Sequence, residues 1–211
     1  MGCNKYGKYI CALCLKKAPY AKCVCPMCEK PSIDGMTHSK CDRKYGLDGL
    51  ISLWDYKGVI RNAIVTLKYK YATELVNELA EACLERLRTD GRILNTTLVP
   101  VPLYWYRKNY RGFNQSELVA KVIAKKMGWN FVADLLIRKK QSVPQAELKG
   151  ADRRENIKGV FALNPNYLSF RICNSVIILD DVWTTGSTIK EAAKVLKRAG
   201  AKNVWGLTIA R

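Results

Sequence analysis

The stretch Val-Ile-Ile-Leu-Asp-Asp-Val-Trp-Thr-Thr-Gly-Ser-Thr-Ile-Lys-Glu, residues 176–191, decides how the rest of the chain reads. Val176 to Leu179 is a short apolar run of the kind that forms a strand buried on both faces of a parallel sheet. It delivers Asp180 and Asp181 to its carboxyl end, where open α/β sheets hold their ligands. The Thr-Thr-Gly-Ser-Thr turn then leads into a helical pattern, so free backbone amides at a helix N-terminus face the same place and suit a phosphate. Gly186 allows close approach of the backbone, and Thr184, Thr185, Ser187 and Thr188 add hydroxyl donors. Two carboxylates cannot bind the phosphate itself. They suit sugar hydroxyls or a hydrated Mg²⁺.

Working outward, the 211 residues are 48% hydrophobic, enough for one packed domain and a small appendage. No apolar run approaches the ~18–20 residues of a membrane span. The first ten residues lack a secretory signal, so the chain is expected in the cytoplasm. Charge is lopsided, with 36 basic residues against 18 acidic ones and a net +18. One small anionic ligand does not require that excess, whereas a nucleic acid does.

Seven of the nine cysteines lie within the first 41 residues, together with His38, the only histidine. Cys11 and Cys14, Cys25 and Cys28, and His38 and Cys41 share the x2 spacing by which one tight turn offers two ligands to a tetrahedral Zn²⁺. A disulfide framework needs an oxidising compartment that the chain gives no sign of entering. Two partitions are open. Cys3, Cys11, Cys14 and Cys23 can form one site beside Cys25, Cys28, His38 and Cys41; or the Cys11/Cys14 and Cys25/Cys28 pairs can share one ribbon. Neither supplies a general base, so the zinc is expected to be structural, in a module of residues 1–45 that folds around metal. Residues 46–211 form the second unit.

In that unit, 50–56 reads as a strand, 59–69 and 73–88 as amphipathic helices with Arg61 and Lys68 off the apolar face, and 97–101 as a strand ending at Val99-Pro100. A loop over 104–111 interleaves Arg107, Lys108 and Arg111 with Tyr104, Trp105, Tyr106 and Tyr110, a composition suited to single-stranded nucleic acid. Asn114 caps the next helix. A strand over 131–137 precedes a long basic connection, 138–158, that includes Arg153 and Arg154. A helix over 188–199 and a strand over 203–210 close the chain. The order implies an α/β fold with a mostly parallel sheet flanked by helices.

Residues 176–191 resemble the phosphoribosyl pyrophosphate (PRPP) motif of type I phosphoribosyltransferases. In that group the acidic pair contacts the ribose 2′- and 3′-hydroxyls and the Thr/Gly/Ser loop cradles the 5-phosphate. Trp183 departs from the pattern, where small or aliphatic residues are commoner. It leaves the carboxylates and the loop intact but alters what packs beside the sugar. Val99-Pro-Val-Pro, Arg111-Gly-Phe-Asn-Gln115 and the run from Arg138 through Gln145 and Arg153-Arg-Glu-Asn156 to Phe161 resemble ComF-type proteins, the competence-associated branch of the same group. With the cysteine-rich start and the closing acidic motif, the resemblance covers almost the whole chain in order.

That resemblance implies a type I phosphoribosyltransferase-like fold with an N-terminal zinc ribbon, PRPP with Mg²⁺ as ligand, and a flexible hood over 138–158. It also implies a role with incoming single-stranded DNA in natural transformation, beside a membrane DNA-uptake machinery. Asp180 and Asp181 become the candidate catalytic pair, Thr184 to Thr188 and Arg111 the PRPP contacts, and Arg107, Lys108, Tyr110, Arg153 and Arg154 the nucleic-acid contacts. No acceptor-base signature stands apart from the core, so active transfer to a base is the second reading.

Overall fold

A computed structural model describes residues 8–69, 73–88, 96–140, 157–167 and 175–211. Its centre is a five-stranded, all-parallel sheet in the order β1-β7-β6-β2-β3. The strands are β1 (Gly49–Trp54), β2 (Thr97–Pro100), β3 (Asn130–Phe131), β6 (Ser175–Val182) and β7 (Asn203–Ala210). A separate antiparallel pair, β4 (Leu136–Arg138) and β5 (Phe161–Leu163), lies apart from it.

Alternation along β6 explains why its apolar run is continuous. Ile177 and Leu179 join the core on the side of α2 (Gly58–Tyr69), α3 (Thr73–Leu87) and α5 (Gln115–Met127). Val176 and Ile178 join the opposite core, with Ile189, Ala192, Ala193 and Leu196 of α6 (Ser187–Arg198) and with Leu136 and Phe161 of the small pair. Both faces are covered, so neither can afford a polar residue.

The cysteine-rich segment packs against the free edge of β1. Tyr20 bridges to Trp54 and Met36 to Gly49, both antiparallel, and these contacts occupy backbone groups that an open edge would present. Ile10 and Ala18 enter the first core, Val24 and Leu47 the second. Asp48 ties the segment to the sheet's amino end, accepting from the Val204 amide and pairing with Lys197 at 2.8 Å. A short helix, α1 (Ala12–Lys16), lies near its start.

Two expectations change. The 104–111 loop is a helix over 105–111, α4 (Trp105–Arg111). Pro102 and Gly112 bracket a stretch free of glycine and proline, whose residues are acceptable helix formers. The expected strand over 131–137 divides, because a turn at 133–135 intervenes. There the Asp134 carboxylate accepts from Asn164 and from the Tyr167 hydroxyl, sending β4 towards β5 rather than along the sheet.

Candidate functional site

The crevice sits where the sheet reverses direction. From β2 the chain runs through α4 and α5 outward to β3; from β6 it runs through α6 to β7 on the other side. Neighbouring strands whose connections diverge leave a cleft at their carboxyl ends. The β2 ladder stops with Pro100 opposite Leu179, whereas β7 continues, pairing Asp180 with Thr208 and Val182 with Ala210. The acidic pair therefore lies at the carboxyl end of the strand, as expected, but within the ladder, which runs past the expected last residue Leu179. Backbone partners on the β7 side carry the strand three residues past Leu179.

The two carboxylates differ in state. Burial raises the pKa of Asp180 well above the usual carboxylate range, and the neighbouring Asp181 charge and a hydrogen bond with it add to the rise. Asp181 is 7% exposed. Burial alone would raise it too, but the Lys68 ammonium outweighs burial and holds it below the usual range. The two carboxylates are thus pushed in opposite directions, Asp180 up and Asp181 down.

Lys68 escaped the reading of the sequence. It lies in the last turn of α2, off the apolar stripe, like the exposed Arg61 one side of the same helix. Its ammonium reaches across to Asp181 Oδ2 at 2.5 Å, with side-chain exposures of 26% and 10%. Burial would lower its pKa, but attraction to Asp181, then Asp180 and Tyr56, raises it. No local pattern separates Lys68 from a surface lysine. Only the packing of α2 over the end of β6 does.

The turn after β6 is built around Gly186, the N-cap of α6, at φ 67°. A Cβ there would also collide with the Trp183 ring, 2.1 Å from its Cζ2. Trp183 is buried beneath the loop in the second core. The departure from the family pattern therefore serves packing under Gly186. Thr184 is exposed, Thr185 and Thr188 are half-buried, and Ser187 is buried. The Thr185 hydroxyl donates to Ser187 Oγ at 3.1 Å. Lys190 folds back to donate to the Thr185 carbonyl at 3.1 Å, adding a cation to the loop. Hydroxyls, first-turn amides and an ammonium converge here, a set that suits an anionic oxygen cluster.

On the β2 side, Asn114 donates to the Val101 carbonyl at 3.0 Å and accepts from the Ser116 amide at 3.1 Å, which fixes the start of α5. Arg111 donates to Gln115 Oε1 at 3.3 Å and stands 5.8 Å from the Tyr69 ring centroid. Trp105, Tyr106 and Tyr110 of α4 are exposed. Arg107 and Lys108 belong to the same helix. Arg153 and Arg154, with most of the expected hood, lie outside the described residues.

At the other end of the sheet, Cys25, Cys28, His38 and Cys41 place their ligand atoms within 4.8 Å of one another. This is the Cys₃His set of the first partition, and it can hold a metal such as zinc. The local chain is shaped for it: Glu29, after the Cys25/Cys28 knuckle, adopts φ 61°, and the Cys41 amide donates to the His38 carbonyl at 2.8 Å. His38 Nε2 lies 3.1 Å from the Pro31 carbonyl, which can only accept. That contact places the proton on Nε2 and leaves Nδ1, 3.4 Å from Cys28 Sγ, with a free lone pair. Burial would raise the pKa of Cys25, but amides of His38, Cys28 and Met27 lower it to about 7. Cys41 is pushed up to about 11, chiefly by its hydrogen bond with Cys28. Three thiols this close cannot all ionise unaided, and a dication is what the donor set lacks. Cys11 and Cys14 lie apart from the four, at the start of α1, where Cys11 Sγ accepts from the Cys14 amide. Cys23 also lies outside the cluster, and Cys3 lies outside the described residues. Among the described residues, no helix is long and apolar enough to cross a membrane.

No family model matches the chain. Similar proteins include the DNA utilization protein YhgH of Escherichia coli, 30% identical over 209 residues, spanning 94% of this chain and 89% of the relative. Competence protein F of Haemophilus influenzae is 36% identical over 124 residues, 57% of this chain and 53% of that protein. Competence protein ComFC of Bacillus subtilis is 26% identical over 199 residues, 89% and 78% of the two chains. Among solved structures, adenine phosphoribosyltransferase from Leishmania donovani aligns with 65% of this chain and 52% of its own at 18% identity, with a TM-score of 0.37.

Proposed function

The chain belongs to the ComF family, and from that premise we propose that it is a PRPP-binding, nucleic-acid-handling protein of the cytoplasm, acting on incoming single-stranded DNA during natural transformation. The observation that carries the PRPP half is the crevice itself. An acidic pair at the end of the central strand, with Lys68 on Asp181, stands beside a glycine-led helix start.

In this reading Asp180 and Asp181 take the ribose 2′- and 3′-hydroxyls. Thr184 to Thr188, with the amides of the first turn of α6, hold the 5-phosphate, and Arg111 offers its charge to the diphosphate. Mg²⁺, bound with PRPP, supplies neutralisation of that diphosphate. Zinc at Cys25, Cys28, His38 and Cys41 is structural, since it lies towards the amino ends of the strands. The six residues of β1 alone rise about 20 Å between the two ends. The nucleic-acid half draws on the net charge of +18, on helix α4 with its exposed aromatics and basic sequence, and on relatives named for competence and DNA utilization. A partner in the membrane DNA-uptake machinery fits the same role.

A calorimetric titration with Mg-PRPP tests the ligand assignment directly: a one-to-one heat is expected, and none at millimolar ligand would refute it. The second reading, active transfer, is favoured by the unlike environments of the two carboxylates, which push Asp180 up and Asp181 down, an arrangement suited to proton exchange. The acceptor nitrogen would attack C1 as the bond to pyrophosphate breaks, the leaving group departing with the electron pair and the nitrogen losing a proton. Pyrophosphate release with any base in a panel would establish it; silence across the panel with Mg-PRPP bound would leave the binding role.

A further inference from the structure

Basic residues crowd the metal end of the sheet as well, far from the acidic crevice. The chain from His38 to Gly46 contains Lys40, Arg43 and Lys44 against one acid, Asp42. A turn closed by the Gly46 amide on the Arg43 carbonyl at 2.7 Å projects this segment beside the end of α6. There the Tyr45 ring has Lys44 Nζ 5.5 Å and Arg198 Cζ 5.3 Å from its centroid. Lys202 follows in the turn after α6. All five cations are exposed, and so is Tyr45.

Their neighbours show what these cations are not for. Lys197 answers the helix C-terminus and the sheet: it donates to the Lys202 carbonyl at 2.6 Å and pairs with Asp48. Lys194 pairs with Glu191, which also accepts from the Gly159 amide. The carboxylates of Asp48 and Glu191 are thus engaged, Glu191 also feeling the Arg198 charge, which leaves Asp42 as the one acid within the segment. Arg43 is braced by the neutral carbonyls of Asp42 at 2.8 Å and Lys40 at 3.4 Å, which orient the guanidinium without cancelling its charge. Among the described ion pairs, none contains Lys40, Arg43, Lys44, Arg198 or Lys202. An exposed aromatic ring with two cations beside it and further cations nearby is the composition of a surface that tracks a single strand: phosphates meet the charges and a base stacks on the ring.

We propose that Lys40, Arg43, Lys44, Tyr45, Arg198 and Lys202 form a binding surface for the phosphate backbone of single-stranded nucleic acid, separate from the crevice at the other end of the sheet. It rests on the nucleic-acid half of the function proposed above, and it adds a second surface, at the metal end, to that of α4. His38 and Cys41 flank Lys40 and come just before Arg43, so a metal held there would fix the cations against α6.

The test is anisotropy of a labelled oligo-dT across a salt series. It compares the wild type with Arg43→Gln/Lys44→Gln/Arg198→Gln and with a control of equal charge change on the exposed face of α5, Lys121→Gln/Lys125→Gln/Lys126→Gln. Losing three phosphate contacts lowers the salt slope by about 2 and the affinity by about tenfold or more. The patch variant is expected to show both, with Mg-PRPP binding and thermal midpoint unchanged, while the control shows neither in full. Equal behaviour of patch variant and control would overturn the assignment while leaving DNA binding intact. No binding by the wild type at low salt would instead remove the nucleic-acid reading itself, and this surface with it. Loss of binding to anionic vesicles, but not to oligo-dT, would overturn the choice of partner.

Discussion

At the carboxyl ends of the strands charge is buried and balanced; towards the amino ends it is exposed and unbalanced. Asp181 and Lys68 form a shielded pair beside Asp180, whose pKa burial raises, whereas Lys44 and Arg198 lie around one exposed tyrosine with Arg43 in solvent nearby. The first arrangement costs stability unless every partner is present, and it prepares a small polar site for one ligand. The second costs little and attracts any polyanion within a Debye length or so. One sheet thus carries a selective end and a permissive end, and the metal cluster belongs to the permissive one.

The largest expected effect comes from removing metal. Chelation should strip amide-exchange protection from residues 23–41 and lower the thermal midpoint, while the amides of β6 and β7 stay protected. Structural zinc contributes on the order of 10 kcal/mol in small fingers, but here Val24 and Leu47 also anchor in the sheet's core. Unchanged protection over 23–41 would break the comparison at its metal end.

Next is Lys68→Met, which leaves Asp181 buried without its cation. A loss of about 3 kcal/mol is expected in chemical denaturation, with Lys68→Arg recovering much of it. An equal, small loss for both variants would show that the pair is not the balancing element.

Gly186→Ala follows. The left-handed backbone costs about 1–2 kcal/mol for alanine, and displacing the Trp183 ring adds about 1–3 kcal/mol. The variant should also lose Mg-PRPP affinity, because the ring supports the loop. Intact affinity with lowered stability would separate packing from binding.

The smallest effect is a pH-dependent one. The native pKa of Asp180 is raised, so its stabilising contribution is full below the unfolded value of about 3.9 and is lost as pH rises through the raised native value. Ligand-free Asp180→Asn should therefore be more stable than wild type at neutral and alkaline pH, with the advantage vanishing near pH 4. Asp181, with its lowered pKa, contributes in the opposite sense: its stabilisation is present above about pH 4 and is lost as pH falls through the native value. A difference between Asp180→Asn and wild type that does not vary with pH would contradict this electrostatic account.

What the sequence made legible follows the same division. Ligand spacing is local, so the knuckle at Cys25 and Cys28 and its partners His38 and Cys41 were among the sets the sequence offered. Choosing this set needed the chain's return along β1. Periodicity is local too: α2, α3, α6 and β7 fall within a residue or two of their expected spans, and α5 begins at its expected Asn114 cap. The misses are tertiary. Asp180 and Asp181 stay in the ladder because β7 runs on beside them. Lys68 matters because α2 crosses the end of β6, and Trp183 turns inward because Gly186 leaves room for its ring. Helix α4 looked like a loop because its six basic and aromatic residues, with Asn109, carry no apolar stripe.

The measurement that bears most directly on the central claim is Mg-PRPP-induced thermal stabilisation of the wild type against Asp180→Asn/Asp181→Asn. At a hundredfold excess over Kd, a bound ligand adds about 2.7 kcal/mol, or roughly 5–10 °C for a chain of this size. The expected result is that shift in the wild type and none in the double variant, whose ligand-free melt remains cooperative. An equal shift in both proteins would contradict the assignment of the crevice.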